Sequence, residues 1–490
     1  MAGEYRTLLG GVATDWLGNR SRSVIQQAGP WLVMGTIAIV YFQIYWHYWL
    51  IQLLGGYVIN TLLPIGILLF AAAVFLTNEY VFLSGTDHGE SSRLTAPMIL
   101  LLCYVGLASS AVIINEEGVE RVRAYLIYVM SPPLIFLGLL AIYRRMPVEA
   151  MEKVLWTLFG LAVGLSLYVA SIYMDDSFST LADMPEMETN RGVWAADTGA
   201  SYAVQELGTF VKRFTIPGLS STTYGPMMVP LVLVGWYFAR NSRGRKRLGY
   251  VLSLIFLCSC IVMTVSRGPI LALGASLLYL AWWRWISFTG GVFLAVVLAT
   301  IFATFGLPTL IRTYSTIASF IPLDDLIPVL SWAGITSLSV DLVESDPHIN
   351  SVSETMGLIL GNPLFGIGRT RLAEFGINES PYGNEHNNYL SVAGSFGLPA
   401  GACYALFILT LLVLLHRRLR RMTAGDKSRD LGIVLVACMI AMIMYLNGAS
   451  AEFHFIWIWF GLSAAWIARG NGGEELAARD PRQPLSATSG

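Results

Sequence analysis

Long apolar runs separated by short polar or basic segments dominate the 490-residue chain. Twelve of them reach roughly 16 to 21 residues, the length of helix that crosses about 30 Å of hydrocarbon. They fall at Pro30–Trp49, Val58–Leu76, Ala96–Ile114, Ala124–Tyr143, Val154–Met174, Tyr224–Ala239, Leu248–Val265, Pro269–Trp285, Phe288–Phe305, Leu398–Leu415, Leu431–Leu446 and Phe453–Ala468. The pattern predicts an all-α polytopic membrane protein of about 12 transmembrane helices. Residues 1–29 form a cytoplasmic N-terminal segment, 30–468 the transmembrane domain, and 469–490 a disordered cytoplasmic tail rich in Gly, Ala, Glu and Pro.

Two connections are long, at about 175–223 and 306–397. The second joins the ninth and tenth spans and holds the apolar pieces LIRTYSTIASFIPL and ETMGLILGNPLFGIG. Those pieces are too short to span and fit interfacial or re-entrant helices.

Charge fixes the orientation. Nine of the 31 basic residues (Arg121, Arg123, Arg191, Lys212, Arg213, Arg267, Arg312, Arg369 and Arg371) fall on one face if the N-terminus is inside, and the rest fall on the other. Positive loops stay in the cytoplasm, so both termini are cytoplasmic and the two long connections face outward. Adding or removing one span would put ARNSRGRKR or HRRLRRMTAGDKSR on the wrong side.

Composition agrees: 55% of residues are hydrophobic and 13% charged, against about 25% charged in soluble domains. A net charge of −1, with the basic residues sorted by membrane side, excludes a nucleic-acid patch. The five cysteines lie inside apolar runs and read as small buried hydrophobes. No removable signal peptide and no 20–50-residue repeat is visible.

The outer face carries the candidate chemistry. Arg267 lies in TVSRGPI, a turn of few residues between two apolar runs, which places its guanidinium at the outer mouth of the bundle. A snorkelling arginine at a helix end is the plainer alternative. Arg213 precedes a Pro-Gly turn and the hydroxyls Ser220 to Thr223 at a helix N-terminus, a combination suited to phosphate or to simple capping.

His386 stands in NEHNNYL, beside Glu385, Asn387, Asn388 and Tyr389 and shortly before a span. An imidazole near its ordinary pKa can take a proton from a sugar hydroxyl at neutral pH. Arg369 and Arg371 precede it as second-rank phosphate ligands, with Asn387 and Tyr389 as substrate-binding candidates. No zinc spacing surrounds His386, no HExxH, Walker or dinucleotide fingerprint occurs, and no metal or cofactor is expected. An energised outer substrate would then arrive attached to a lipid pyrophosphate.

The combination of SRGP at 266–269, GNPLFGIG at 361–368 and HNNYL followed by GLPAG at 386–401 resembles the O-antigen ligase and polymerase family of bacterial envelope enzymes, over roughly Arg213 to Trp466. The resemblance implies a metal-independent, inverting glycosyltransferase of the inner membrane, active on its periplasmic face. Such an enzyme moves a glycan from undecaprenyl pyrophosphate to a hydroxyl of the lipid A core or of a second lipid-linked glycan. It also implies catalytic roles for Arg213, Arg267 and His386. Many relatives carry an acidic residue where Ser395 stands here, so its role is absent or falls to Glu385 or Glu452. Two alternatives stay open: a polymerase of lipid-linked repeats, and a lipid-linked sugar transporter without chemistry.

Overall fold

The structure is a computed structural model and describes residues 34–35, 37–42, 94–144, 148–175, 202–204, 210–212, 221–264, 266–283, 285, 347–374, 387–423, 426–447 and 454–469. Nine of the twelve apolar runs coincide with helices in this set. Val58–Leu76, Phe288–Phe305 and most of Pro30–Trp49 lie outside it, as does the apolar piece at 310–323.

In chain order the helices are α1 (Thr95–Asn115), α2 (Gly118–Ala124), a π-helical turn (Tyr125–Met130), α3 (Ser131–Tyr143), α4 (Val148–Asp175), α5 (Ser221–Arg240), α6 (Gly244–Met263) and α7 (Arg267–Trp282). They continue as α8 (Pro347–Gly361), α9 (Arg369–Glu374), α10 (Asn388–Phe396), α11 (Leu398–Arg421), α12 (Lys427–Leu446) and α13 (His454–Ala468). Among the described residues six helical stretches are long and apolar enough to cross a membrane, and two further apolar helices are shorter. The chain is a multi-helix membrane protein.

One feature departs from the all-helical expectation. Two three-residue strands, β1 (Tyr202–Val204) and β2 (Phe210–Lys212), pair antiparallel with Ala203 opposite Val211. They lie in the long connection before α5, where SYAV and TFVK supply aromatic and β-branched residues at strand spacing.

Helix ends also differ from the apolar boundaries. α6 starts four residues before its apolar run, taking in Arg245, Lys246 and Arg247, and α11 runs on to Arg421. Hydropathy misses such turns because long basic side chains carry their charge beyond the helix end. The basic last turn of α11 also meets the negative end of the helix dipole.

Helices α5, α12 and α13 form the centre. From His454 to Ile467 every residue of α13 is buried, against α3, α11 and α12. α6 lies at the edge, and Leu248, Leu252 and Ile255 expose one face at helical spacing, as a lipid-facing helix requires. Because lipid is as apolar as a core, close packing and hydrogen bonds join these helices, with no gain from removing water. Ser276 of α7 donates across to the Ala437 carbonyl at 2.9 Å, Tyr41 donates to the Met227 carbonyl at 2.7 Å, and Ser131 bonds the buried His454 ring at 2.7 Å.

The basic residues gather at one end. The Lys427 ammonium lies 2.6 Å from Glu152 and 3.8 Å from Glu149, joining α12 to α4. The Arg240 guanidinium sits 4.8 Å over Trp285, and that of Arg429 5.1 Å over Trp283. Arg418 stacks 4.6 Å over Trp466 and donates to the carbonyls of Trp466 and Ile467, while the Trp466 indole donates to the Ser428 carbonyl at 3.0 Å. Trp466 is held from two sides.

This pinned ring closes the α12–α13 contact. A Cβ at Gly432 would lie 2.4 Å from Trp466 Cζ2, and the indole has nowhere to turn. Gly432→Leu is expected to lower stability by about 1–3 kcal/mol or more through overpacking. Thermal unfolding in detergent checks this; an unchanged melting temperature would mean that the two helices are not in tight contact there.

Candidate functional site

Opposite the basic end, the chain builds a polar structure from three distant segments. The first is the end of α1 and the turn after it, where the apolar run stops at Asn115 and Glu116. Glu116 is only 3% exposed, so its carboxylate needs donors from the protein. It accepts from the Thr370 backbone N–H at 2.9 Å, capping α9 from 254 residues away. Arg121 Nε donates to the Glu116 carbonyl at 2.6 Å.

The second segment is the turn between α8 and α9. Asn115 donates from Nδ2 to the carbonyls of Phe365, at 2.8 Å, and Gly366, at 3.3 Å. On its other side the turn lies on the α10–α11 junction. Ile367 N–H donates to the Gly394 carbonyl at 2.9 Å, Gly368 N–H to the Ser395 carbonyl at 3.1 Å, and Leu398 N–H to the Pro363 carbonyl at 2.8 Å.

Two glycines permit this approach. Gly366 has φ +64° and Gly397 φ +93°, both in the region that side chains disfavour. A Cβ on Gly366 would lie 2.3 Å from the Gly394 carbonyl oxygen, and one on Gly397 2.1 Å from that of Leu364. Backbone thus packs directly on backbone, with no room for a methyl group.

The third segment is the π-helical turn that carries Tyr128. Pro132 and Pro133 have no N–H to offer the carbonyls of Tyr128 and Val129, so the regular i→i−4 ladder cannot form there and the chain widens. Ser131 Oγ donates instead to the Ile127 carbonyl at 2.8 Å. The wider turn presents Tyr128 to Arg369, whose guanidinium lies 5.2 Å from the ring centre and also donates to Ser391 Oγ. Tyr128, Arg369, Ser391, Val392, Ser395 and Phe396 line a narrow crevice that is closed to a water molecule in this conformation.

The candidates from the sequence take different places. Arg369 lines this crevice, whereas Arg371 is exposed two residues further on. Asn387 caps α10, accepting from the Leu390 N–H at 3.1 Å, so helix capping accounts for its oxygen. Tyr389 is half-buried against Tyr404, ring centres 6.1 Å apart. Burial pushes its phenol up to about 12, which leaves it a neutral donor at physiological pH and no general base.

The backbone of Arg267 opens α7, and its side chain lies outside the described residues, as do Arg213 and His386 altogether. The helix starts that follow Arg213 and Arg267 do meet: a Cβ on Gly225 of α5 would lie 2.4 Å from the Pro269 ring of α7. Among the described residues no three His, Cys, Asp or Glu side chains are grouped to hold a metal ion.

Residues 252–405 match the family described as O-antigen ligase. The match covers about a third of the chain, and over that stretch the sequence is similar to the O-antigen ligase family. A comparison with curated proteins gives no significant match. The family stretch contains Arg267, Arg369, Arg371, His386, Asn387 and Tyr389, but not Arg213. Nor does it contain Asn115, Glu116 or Tyr128, so residues from well before the matching stretch pack against it.

Asn115, Glu116 and Tyr128 did not stand out in the sequence. The available signals were the INEE end of an apolar run and the Pro-Pro pair that follows the tyrosine. Asn115→Leu removes both donors to the 365–366 carbonyls and is expected to cost about 1–3 kcal/mol. It should also raise the labelling rate of a cysteine placed at exposed Leu364. Unchanged labelling and melting would show that the turn is held without Asn115.

Proposed function

We propose that this protein transfers a glycan from undecaprenyl pyrophosphate to an acceptor hydroxyl at the periplasmic face of the bacterial inner membrane, as an O-antigen ligase-type glycosyltransferase. The observation that carries the reading is the family match over 252–405, which takes in Arg267, Arg369 and His386. Supporting it, most basic residues of the described helices collect at one end of the bundle, and Arg369, Asn115 and Glu116 lie at the other. By the positive-inside rule the basic end is cytoplasmic. The twelve-span topology with both termini inside, and the division at 1–29, 30–468 and 469–490, belong to the same proposal.

In this mechanism Arg213 and Arg267 hold the pyrophosphate and stabilise the charge that develops on it as it leaves. Arg369, standing on the aromatic face of Tyr128, is a further phosphate ligand. His386 accepts the proton of the acceptor hydroxyl, whose oxygen attacks the anomeric carbon opposite the leaving pyrophosphate. The C–O bond to the pyrophosphate breaks, the new glycosidic bond forms with inversion, and no metal takes part. The acceptor is a lipid A core sugar or, in a polymerase, a second lipid-linked glycan.

His386→Ala is expected to lower transfer in proteoliposomes by about 100-fold or more, the usual contribution of a general base, with membrane insertion intact. Transfer at the normal rate would remove His386 from the chemistry. Arg267→Lys should also lose most activity, because an ammonium cannot reproduce a two-pronged guanidinium grip; full activity would assign Arg267 to the membrane boundary alone.

A further inference from the structure

The inner face of α10 carries more polar groups than the protein satisfies. Asn388 is fully buried, and neither its amide oxygen nor its amide nitrogen has a hydrogen-bond partner. Ser395 is 1% exposed, and its hydroxyl has none either. Each unmet buried group of this kind costs about 1–3 kcal/mol, so a fold with no use for them should have replaced them with apolar residues.

Their placement relates them to the pocket. At about 100° per residue, Asn388 falls within about 60° of Ser391 and about 20° of Ser395 around the helix. Ser391, Val392 and Ser395 all line the crevice beside Arg369; Asn388 does not line it, but by helical spacing falls within the same arc, one turn towards the helix start. Asn388, Ser391 and Ser395 therefore form one polar stripe along an otherwise apolar wall.

The chemistry of the stripe selects its ligand. A phosphate at neutral pH offers mostly acceptors, which would leave the Asn388 oxygen unmet. A sugar hydroxyl both donates and accepts, and so do an amide and a serine hydroxyl. We propose that the Asn388–Ser391–Ser395 stripe binds hydroxyls of the sugar next to the phosphate, with Arg369 on the phosphate itself. This rests on the lipid-pyrophosphate donor proposed above. Binding requires the crevice to open: Arg369 leaves Ser391 for the phosphate, and Ser391 then joins its two neighbours in holding the sugar.

The test compares two lipids binding to purified protein in detergent: undecaprenyl pyrophosphate, and the same lipid bearing one N-acetylhexosamine. Wild type should bind the sugar-bearing lipid about tenfold or more tightly than the bare one, since each hydrogen bond to the sugar is worth roughly 3–10-fold. Asn388→Leu and Ser395→Ala should each reduce that ratio several-fold, and the double variant should bring it near one. All should keep the affinity for the bare lipid and melt, unliganded, at or above the wild-type temperature. A ratio that survives in the double variant, or is absent in wild type, overturns the proposal. Failure of wild type to bind the bare lipid instead overturns the donor reading, and that arm alone reports it.

Discussion

The backbone contact between the 362–368 turn and the α10–α11 junction is the constraint on which the polar end of this molecule depends. An irregular stretch beside a bilayer has little water to complete its hydrogen bonds, so the protein must supply them. Here Asn115 serves the carbonyls of Phe365 and Gly366, and the junction serves Pro363, Ile367 and Gly368. With its polar groups met from both sides, the turn and the end of α8 leave the apolar side chains of Leu360, Leu364 and Phe365 exposed. The same contact starts α9 at Arg369 and brings that guanidinium between Tyr128 and Ser391. The pocket is therefore a consequence of how the turn is held.

The two ends of the bundle use arginine differently. At the basic end Arg240, Arg418 and Arg429 lie over Trp285, Trp466 and Trp283, and Arg418 also bonds backbone carbonyls at the end of α13. Those guanidiniums fasten helix ends together. Arg369 is also stacked, but on a tyrosine carried by a widened helical turn and at the wall of a pocket. The common interaction is cation–π; the difference is what lies beyond the ring. At one end the bundle continues, and at the other the ring and guanidinium border a crevice that the Ser391 and Ser395 hydroxyls also line.

Much of the architecture was legible from hydropathy and charge. Nine apolar runs are helices, and the runs flanked by ARNSRGRKR and HRRLRRMTAGDKSR end together at the basic end. The centre was not legible. α13, buried from His454 to Ile467, and α6, largely exposed, carry equally apolar runs, because a bilayer and a protein core place the same demand on side chains. The GIG and GLPAG glycines were visible as a motif, but nothing along the chain shows that Gly397 must meet Leu364, or that Glu116 must cap a helix 254 residues later. Tyr128 was hidden by its own apolar run, since only the prolines after it turn the helix. The pattern also gave no sign of the short β1–β2 ladder.

The same blindness applied to Asn388, which sequence reading placed among the polar neighbours of His386 while preferring Asn387 and Tyr389. Geometry reverses that order. The Asn387 oxygen is occupied by the α10 cap, and Tyr389 leans on Tyr404, whereas the Asn388 amide is buried with all its hydrogen-bonding capacity unused. In a bundle held together by packing and a few well-made hydrogen bonds, an unmet amide is a standing cost. A cost of this kind is retained where another molecule removes it. That the unmet groups share a helical face with Ser391, and that this face lines the wall beside Arg369, turns an isolated defect into the outline of a ligand.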